Sequence, residues 1–473
     1  MEIIHVAAEC FPFAKAGGLG DVVGALPKYQ QKLGHVAKVV IPMYRTPFLY
    51  DNSWDLVHEG SQQLGDHQFK YSVIKEQTGK LGYDLYLIDI NGILDRDKIY
   101  GYTDDPERFI AFQTAVCDWI THWQHKPSII HCHDHHSGLI PFMIKYCTSF
   151  NAKLSAIPTV FTIHNAEYNG AMDWNKSKFI PAYDEWKWSM LDWNNAINPL
   201  ASAVKSAWKV TTVSNSYLEE LKTAAAGVEA LFEYEKGKCS AILNGIDNEV
   251  WNPATDKLIA KNYSAENVGQ GKKINKAFLA EKFGLSLDKP LISFIGRLVG
   301  EKAADLLRDV IVKSIFQFQG RANFLVLGSG DPAIEHVLNE LKAEFKSYYN
   351  VFIGYNEGLS HQIYAGADFL LMPSRVEPCG LNQLYALRYG TIPIVRNVGG
   401  LRDTVTDMGD WQGFGIKFNN ASVEDIVYSV GRAIDLYYNN AELYKWMQDY
   451  TMSLDHSWES SASKYIELYQ SMK

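Results

Sequence analysis

Two cations and one carboxylate stand just after apolar, β-branched runs in the second half of the sequence. Arg297 and Lys302 follow the run at 290–296, and Glu377 follows the run at 369–373. Arginine offers phosphate oxygens a planar fork, lysine offers them a point charge, and a carboxylate accepts hydrogen bonds from hydroxyl groups. Ligands bind at the carboxyl ends of the strands of an open parallel sheet. These residues therefore predict a pocket for a phosphorylated ligand that carries a polar group.

Simpler interpretations exist for the same residues. An arginine or lysine near the start of a helix is usually a solvent-exposed side chain, and Glu377 could cap the helix that follows it. Tyr355, which follows the apolar run at 351–353, could stack on a base or fill the core. The residues on their own leave these alternatives open.

A glycine loop follows the first apolar run, at 2–9, and contains Lys15, Gly17, Gly18 and Asp21. Helical spacing of apolar residues begins directly after Asp21. Adjacent glycines let the backbone approach a ligand closely, and the N-terminus of a helix favours an anion. A turn that needs glycine only for its geometry is the alternative. The loop does not match Gly-x-Gly-x-x-Gly, which disfavours a nicotinamide-dependent dehydrogenase.

Four histidines and Asp134 lie within the segment 131–136 and suggest a metal site. His131 and His133 alternate along a predicted strand, however, whereas His135 and His136 belong to the turn that follows. One metal ion would be hard to reach from all four rings. We therefore expect polar side chains lining the end of a strand and no metal, and a metal hydrolase would rest on this segment alone.

Composition and charge exclude several classes of protein. The 473 residues carry a net charge of −9, which argues against nucleic acid as the main partner. No apolar run reaches the length of about 18 residues expected of a membrane span. The start of the sequence lacks the basic region of a signal peptide, and the six cysteines are scattered. We expect a cytoplasmic protein with no membrane partner.

Strand, loop and helix patterns alternate along both halves of the sequence, which predicts an α/β protein with two doubly wound parallel sheets. Regular patterning lapses after residue 245. We predict an N-terminal domain at 1–245 and a C-terminal domain at 246–455. A last helix, at 456–473, is aromatic on one face and is expected to pack back on the N-terminal domain.

Ordered motifs along nearly the whole chain resemble those of bacterial glycogen synthases and plant starch synthases, glycosyltransferase family 5. The motifs occupy 15–22, 131–136, 164–168, 243–247, 296–298 with Lys302, 377–381 and 399–404. The resemblance implies the GT-B fold, in which two Rossmann-like domains face a central cleft. Leu384, seven residues after Glu377, replaces the second glutamate of many other retaining GT-B enzymes, which disfavours a sucrose synthase or a mannosyltransferase. Ala303 stands where the family usually has glycine.

The resemblance also implies a reaction and a set of site residues. The reaction is transfer of glucose, with retention of configuration, from ADP-glucose to the non-reducing 4-hydroxyl of an α-1,4-glucan, with ADP released. No cofactor and no metal are expected, because ADP-glucose is a substrate. The catalytic residues implied are His164, Arg297, Lys302, Glu377 and Asp134. The donor-binding residues implied are Lys15, Gly17, Gly18, Asn244, Tyr355, Cys379, Gly380, Leu381, Gly399 and Gly400. Tyr102 and Asp21 are implied to bind the acceptor. UDP-glucose as the donor, or a non-catalytic glucan-binding protein, are the alternatives.

Overall fold

The computed structural model describes residues 1–472 and divides into two compact units. Unit 1 comprises Met1–Asn244 together with the C-terminal segment from Trp458, and unit 2 comprises Gly245–Ser457. The predicted domain crossing after residue 245 lies within one residue of the division between the two units. No helix within residues 1–472 is both long enough and apolar enough to cross a membrane.

Unit 1 is built on a nine-stranded sheet with the strand order β11-β10-β7-β6-β1-β2-β5-β4-β3. Its strands, together with the separate hairpin β8–β9, are β1 (Glu2–Val6), β2 (Val36–Pro42), β3 (Trp54–Leu64), β4 (His67–Glu76), β5 (Asp84–Asp89), β6 (Ile129–His133), β7 (Thr159–Ile163), β8 (Asp192–Trp193), β9 (Ala196–Ile197), β10 (Lys209–Thr212) and β11 (Cys239–Ala241). The pairs are parallel except that β4 runs antiparallel to β3 and β5. The chain proceeds from β1 to β2 on one side and later to β6 on the other. The order therefore reverses between β1 and β6, where such sheets bind ligands.

Helices cover this sheet, since strands buried on both faces need partners on both faces. They are α1 (Gly18–Lys32), α2 (Pro47–Asp51), α3 (Asp105–Thr121), α4 (Ile140–Tyr146), α5 (Asn151–Leu154), α6 (Pro199–Ser206), α7 (Asn215–Glu220) and α8 (Glu229–Tyr234). Ser214 caps α7 by accepting a hydrogen bond from the backbone N–H of Tyr217. The loop that carries Lys15 leads directly into α1, as the apolar spacing predicts.

Unit 2 has a six-stranded parallel sheet with the order β14-β13-β12-β15-β16-β17. The strands are β12 (Leu291–Ile295), β13 (Asn323–Gly328), β14 (Tyr349–Ile353), β15 (Phe369–Met372), β16 (Ile392–Arg396) and β17 (Ile416–Phe418). The helices are α9 (Val268–Phe283), α10 (Leu307–Gln317), α11 (Pro332–Glu344), α12 (Glu357–Gly366), α13 (Asn382–Arg388), α14 (Gly399–Thr404), α15 (Val423–Asn439) and α16 (Ala441–Ser453). The order reverses between β12 and β15, and these two strands precede Arg297 and Glu377.

The last helix, α17 (Trp458–Gln470), belongs to unit 1 although unit 2 precedes it in sequence. Its aromatic face, with Trp458, Tyr465 and Tyr469, is buried in a cluster with Val22 and Leu26 of α1. Burying three large aromatic side chains removes much apolar surface from water and fixes α17 on unit 1.

Candidate active site

An ion pair between Lys302 and Glu377 lies where the sheet order of unit 2 reverses. The Nζ atom of Lys302 is 2.6 Å from Oε2 of Glu377, and that oxygen also accepts a hydrogen bond of 2.8 Å from the hydroxyl of Ser374. Glu377 is buried, whereas Lys302 keeps 23% of its side chain exposed. The structure thus brings together two of the predicted catalytic residues. Glu377 does not cap the next helix, because α13 has no side-chain cap in the described chain.

Arg297 lies on the same loop as Lys302 and is half exposed. Its guanidinium pairs with Glu301 at 2.9 Å, an exposed contact that a ligand with more negative charge could replace. The loop is tied to the Glu377 loop by the backbone N–H of Arg375, which donates to the carbonyl of Glu301 at 2.7 Å. A second tie is the guanidinium of Arg375, which binds both carboxylate oxygens of Asp305. The two loops therefore form one surface at the ends of β12 and β15.

Gly399 and Gly400 pack against the backbone of the Glu377 loop. A Cβ atom on Gly399 would lie 2.0 Å from the carbonyl oxygen of Glu377, and one on Gly400 would lie 2.0 Å from that of Cys379. Gly399 also has a φ of 45°, a left-handed conformation that favours glycine. The N–H of Gly400 donates to the carbonyl of Glu377 at 3.0 Å. Close approach between the loops thus explains both glycines, and their predicted contact with a donor stays a prediction.

The segment from Cys379 to Leu381 turns the chain from Glu377 into α13. Cys379 is buried and its carbonyl accepts a hydrogen bond from the side chain of Gln383, while Gly380 has a φ of 75°. Leu381 stands directly before the first residue of α13. The left-handed glycine lets the backbone reverse tightly between the buried Glu377 and the helix.

Tyr355 and Asn244 differ sharply in exposure. Tyr355 lies just beyond the end of β14 with 73% of its surface exposed, so its interpretation as a core tyrosine is wrong. Its hydroxyl donates to Glu357 at 2.8 Å. Asn244, at the end of unit 1, is buried, and its Oδ1 has no hydrogen-bond partner within residues 1–472. A buried amide oxygen without a donor is a candidate for ligand binding.

Glu9, which is not among the site residues predicted from the sequence, holds the glycine loop of unit 1. One oxygen of this buried carboxylate accepts hydrogen bonds from the N–H groups of Ala16 and Gly17, at 2.6 and 2.9 Å, and the other accepts from Tyr100. These two N–H groups are therefore not available to a phosphate, contrary to the expectation from the glycine loop. A lone carboxylate at the end of the apolar run at 2–9 is a signal that could have drawn attention to Glu9, although not to its partners.

Gly17 and Gly18 are not required by the geometry of the turn. A Cβ atom on either would meet nothing within 4 Å, and neither has a positive φ. The space beside the loop is open, which favours the ligand-binding interpretation over the purely structural one. Lys15 spans this loop to pair with Asp21 at 2.7 Å, and both side chains are partly exposed.

Asp134 and His164 meet at the ends of the adjacent strands β6 and β7. Oδ1 of Asp134 accepts a hydrogen bond of 2.7 Å from the backbone N–H of His164. Burial raises the pKa of Asp134 to about 7, and Glu9 raises it further, whereas the N–H groups of His164 and Asn165 lower it. The backbone of Asp134 has φ 56° and ψ 176°, a conformation that costs other residues than glycine about 1–3 kcal/mol and that clusters at functional sites.

Three buried histidines from neighbouring strands form the group that could most nearly hold a metal. Nitrogen atoms of His5, His131 and His133 lie within 4.8 Å of one another. Every ring nitrogen of the three already has a hydrogen-bond partner, however, and the pKa of each ring is lowered by burial. A histidine from β1 was not anticipated from the sequence. His136, in contrast, stacks on Tyr100 with ring centroids 4.7 Å apart, so the turn histidines lie apart from this cluster as predicted.

Tyr102 is held on the loop before α3 by two arginines. The guanidinium carbons of Arg108 and Arg96 lie 4.7 and 5.1 Å from the centre of its ring. Its hydroxyl accepts a hydrogen bond of 3.1 Å from the backbone N–H of Lys98. The side chain is half-buried, which fixes the ring and leaves part of it accessible.

Comparisons with known proteins agree over the whole chain. Residues 2–234 match the family model for the starch synthase catalytic domain, and residues 275–451 match that for glycosyl transferases group 1. A glycogen synthase of Flavobacterium johnsoniae is 52% identical over 469 residues, which is 99% of this chain and 98% of that protein. A glycogen synthase of Streptococcus gordonii is 37% identical, with complete coverage of both chains.

A solved structure gives the same result for the fold. The catalytic domain of starch synthase IV from Arabidopsis thaliana, bound to ADP and acarbose, has a TM-score of 0.89 and 32% identity, with 99% of each chain covered. The GT-B fold predicted from the motifs is confirmed. The chain belongs to the glycogen and starch synthase family of glycosyltransferases.

Proposed function

We propose that the enzyme is an α-1,4-glucan synthase that uses ADP-glucose and retains the configuration at the transferred carbon. The observation that carries the proposal is the surface at the ends of β12 and β15, where Arg297, Lys302 and Glu377 occupy two joined loops. ADP as the leaving group is supported by the related starch synthase, whose structure contains ADP.

Arg297 and Lys302 would bind the diphosphate of the donor. Each cation pairs with a carboxylate in the structure, Arg297 with Glu301 and Lys302 with Glu377. We infer that phosphate oxygens replace these partners when the donor binds, because a diphosphate carries more charge than one carboxylate. Two positive charges at the leaving group stabilise the charge that develops as the bond to glucose breaks. Glu377, released from Lys302, would accept hydrogen bonds from hydroxyls of the glucose, beside the backbone of Cys379, Gly380 and Leu381.

Residues of unit 1 would act on the sugars and on the donor. Lys15, a partly exposed cation, would bind the donor, and the open space at Gly17 and Gly18 would allow a ligand to approach the backbone. His164 would contact the reacting glucose, and Asp134 would hold the backbone of His164 in place. The roles of four further residues follow from the family resemblance alone. Tyr355 would pack on the adenine, Asn244 would bind the donor, and Tyr102 and Asp21 would bind the acceptor.

The proposed reaction is a displacement on one face of the glucose through an oxocarbenium-like state. The bond from the anomeric carbon to the phosphate oxygen breaks, and the acceptor's 4-oxygen bonds to that carbon from the same side. The departing phosphate takes the proton of the acceptor hydroxyl. In this proposal Glu377 binds hydroxyls of the glucose and Asp134 accepts the backbone N–H of His164, so neither carboxylate has the role of a nucleophile. The two-carboxylate scheme of glycosidases is therefore not invoked.

Product analysis tests this function directly. The enzyme is incubated with a malto-oligosaccharide and either ADP-glucose or UDP-glucose, and the products are separated by length and examined by proton NMR. We expect elongation from ADP-glucose with new α-1,4 linkages. Elongation only from UDP-glucose would overturn the choice of donor, and β linkages would overturn retention. Folded protein that binds the oligosaccharide without elongating it would indicate a glucan-binding protein.

A further inference from the structure

A continuous chain of buried hydrogen bonds links His164 to the C-terminal helix of unit 1. His164 Nε2 is 3.0 Å from His133 Nδ1, and His133 Nε2 is 3.0 Å from His5 Nδ1. His5 Nε2 is 2.8 Å from Oε1 of Gln30, and Nε2 of Gln30 donates to the hydroxyl of Tyr469 at 3.2 Å. All members except His164 are fully buried or nearly so. The proposed function gives a role to His164 but to none of the other four side chains.

The chain has a direction because each buried ring carries a single proton. Burial lowers the pKa of His5 to about 4 and that of His164 to about 3, and lowers that of His133 well below its ordinary value. A neutral imidazole has one N–H donor and one nitrogen acceptor, so the role of one nitrogen dictates the role of the other.

The amide of Gln30 sets that direction. Its oxygen can only accept, so His5 must carry its proton on Nε2 and accept at Nδ1. His133 then donates from Nε2 and accepts at Nδ1, and His164 donates from Nε2. Nδ1 of His164, on a half-buried side chain with no hydrogen-bond partner for that atom among residues 1–472, is left as an acceptor.

Turning the Gln30 amide over would move the proton on every ring to the other nitrogen. The distance to Tyr469 discriminates between the two states, because 3.2 Å fits a donating amide N–H rather than a donating hydroxyl, for which about 2.7–2.8 Å is usual. The hydroxyl of Tyr469 instead lies 2.7 Å from Nδ1 of His131, to which it donates. His131 in turn donates from Nε2 to Thr162, 2.6 Å away, which bonds to Thr211. Both branches agree with one orientation of the amide.

We propose that Gln30 is a positioning residue whose amide, anchored on Tyr469, fixes the tautomer of His164 and so presents its Nδ1 as a hydrogen-bond acceptor. The ligand group it suits is a donating hydroxyl of the glucose. The assignment of this hydroxyl rests on the proposed function, whereas the tautomer itself does not. The C-terminal helix thereby has a part in the chemistry, through Tyr469, as well as in packing.

NMR of protein with isotope-labelled histidine tests the tautomer without any turnover. We expect the wild-type His164 to carry its proton on Nε2 alone, and Gln30→Met to show the Nδ1–H form as well. Tyr469→Phe, which removes the anchor of the amide, serves as a second variant should Gln30→Met fold poorly. Thr211→Val is the matched control, a buried hydroxyl at the end of the other branch, and should leave His164 unchanged.

Kinetics then tests the positioning role. The kcat of Gln30→Met should fall by about tenfold, the effect of one lost hydrogen bond to a substrate, with little change in KM for the donor. An unchanged tautomer in both variants, or a wild-type His164 with its proton on Nδ1, would overturn the inference. A shifted tautomer with wild-type kcat would refute the positioning role. If the wild type transfers no glucose, the proposed function fails and the NMR result still decides the tautomer.

Discussion

Ala303 provides a test of backbone strain beside Lys302. It is fully buried and left-handed, with φ 52° and ψ 32°. Its neighbour Ala304 is equally buried and is not left-handed. The two alanines therefore differ in backbone conformation while sharing type, burial and location.

The expected magnitudes follow from three contributions. Replacing a left-handed alanine by glycine removes backbone strain and stabilises the folded protein by about 1–2 kcal/mol. The added freedom of glycine in the unfolded chain costs about 0.5–1 kcal/mol, and the lost buried methyl costs about 0.8 kcal/mol. These contributions nearly cancel in Ala303→Gly, which should change the free energy of unfolding by less than about 1 kcal/mol. Ala304→Gly has only the two costs and should be destabilised by about 1–2 kcal/mol.

Hydrogen exchange in urea measures this difference within unit 2. Peptides from β12, the strand that precedes Ala303, and from its neighbour β15 report the free energy of opening of this part of the protein. Ala303→Gly should exchange like the wild type, and Ala304→Gly should exchange faster. Equal destabilisation of the two variants would refute the idea that Ala303 is strained.

Three further predictions concern the site. Lys302→Met removes a cation from the proposed diphosphate contact and should lower kcat about a hundredfold or more, as measured by glucose transfer, whereas Lys313→Met, at an exposed ion pair with Glu424, should keep wild-type activity. For Asp134, the pKa of about 7 lies above the unfolded value of 3.8, so ionisation opposes folding between those pH values. The stability of Asp134→Asn, measured by chemical denaturation at several pH values, should therefore improve relative to the wild type as the pH rises across that window. A variant that loses stability relative to the wild type over the same window would contradict this sign. Gly18→Ala should leave the melting temperature unchanged or slightly raised, since the added Cβ meets nothing within 4 Å and alanine is less free than glycine in the unfolded chain, but should weaken donor binding in calorimetry; unchanged binding would mean that no ligand approaches this glycine.

The sequence predicted the fold well because local pattern and fold agree. The alternation of buried strands with helical spacing was enough to predict two sheets with mainly parallel strands. The ordered motifs were enough to predict the GT-B fold. The aromatic face of 456–473 indicated that the last helix packs on another element, and α17 is buried against α1. The antiparallel pair β3–β4 departs from this alternation, because the two strands follow each other with no helix between them.

The parts of the site that sequence could not predict depend on contacts between distant residues. Glu9 occupies the N–H groups of the glycine loop, and no local pattern shows that a carboxylate will turn back onto a loop seven residues later. The sequence does not distinguish His5 from other strand residues, because its contact with the histidines of β6 depends on the pairing of β1 with β6. The close approach of Gly399 and Gly400 to the Glu377 loop was also not evident from the sequence, and their predicted contact with a donor stays a prediction. To predict each of these contacts, one would need to know the register of two strands or the path of a second loop.

The most direct test of the proposed synthase is nucleoside diphosphate release from ADP-glucose and from UDP-glucose, with and without malto-oligosaccharide. The wild type and Arg297→Ala are compared, and circular dichroism checks that the variant is folded. We predict ADP release that requires the acceptor and that is lost in folded Arg297→Ala, because the half-exposed guanidinium, paired with Glu301 in the structure, would bind the diphosphate of the donor. Full activity in Arg297→Ala, or no release from either donor by the folded wild type, would contradict the proposed function.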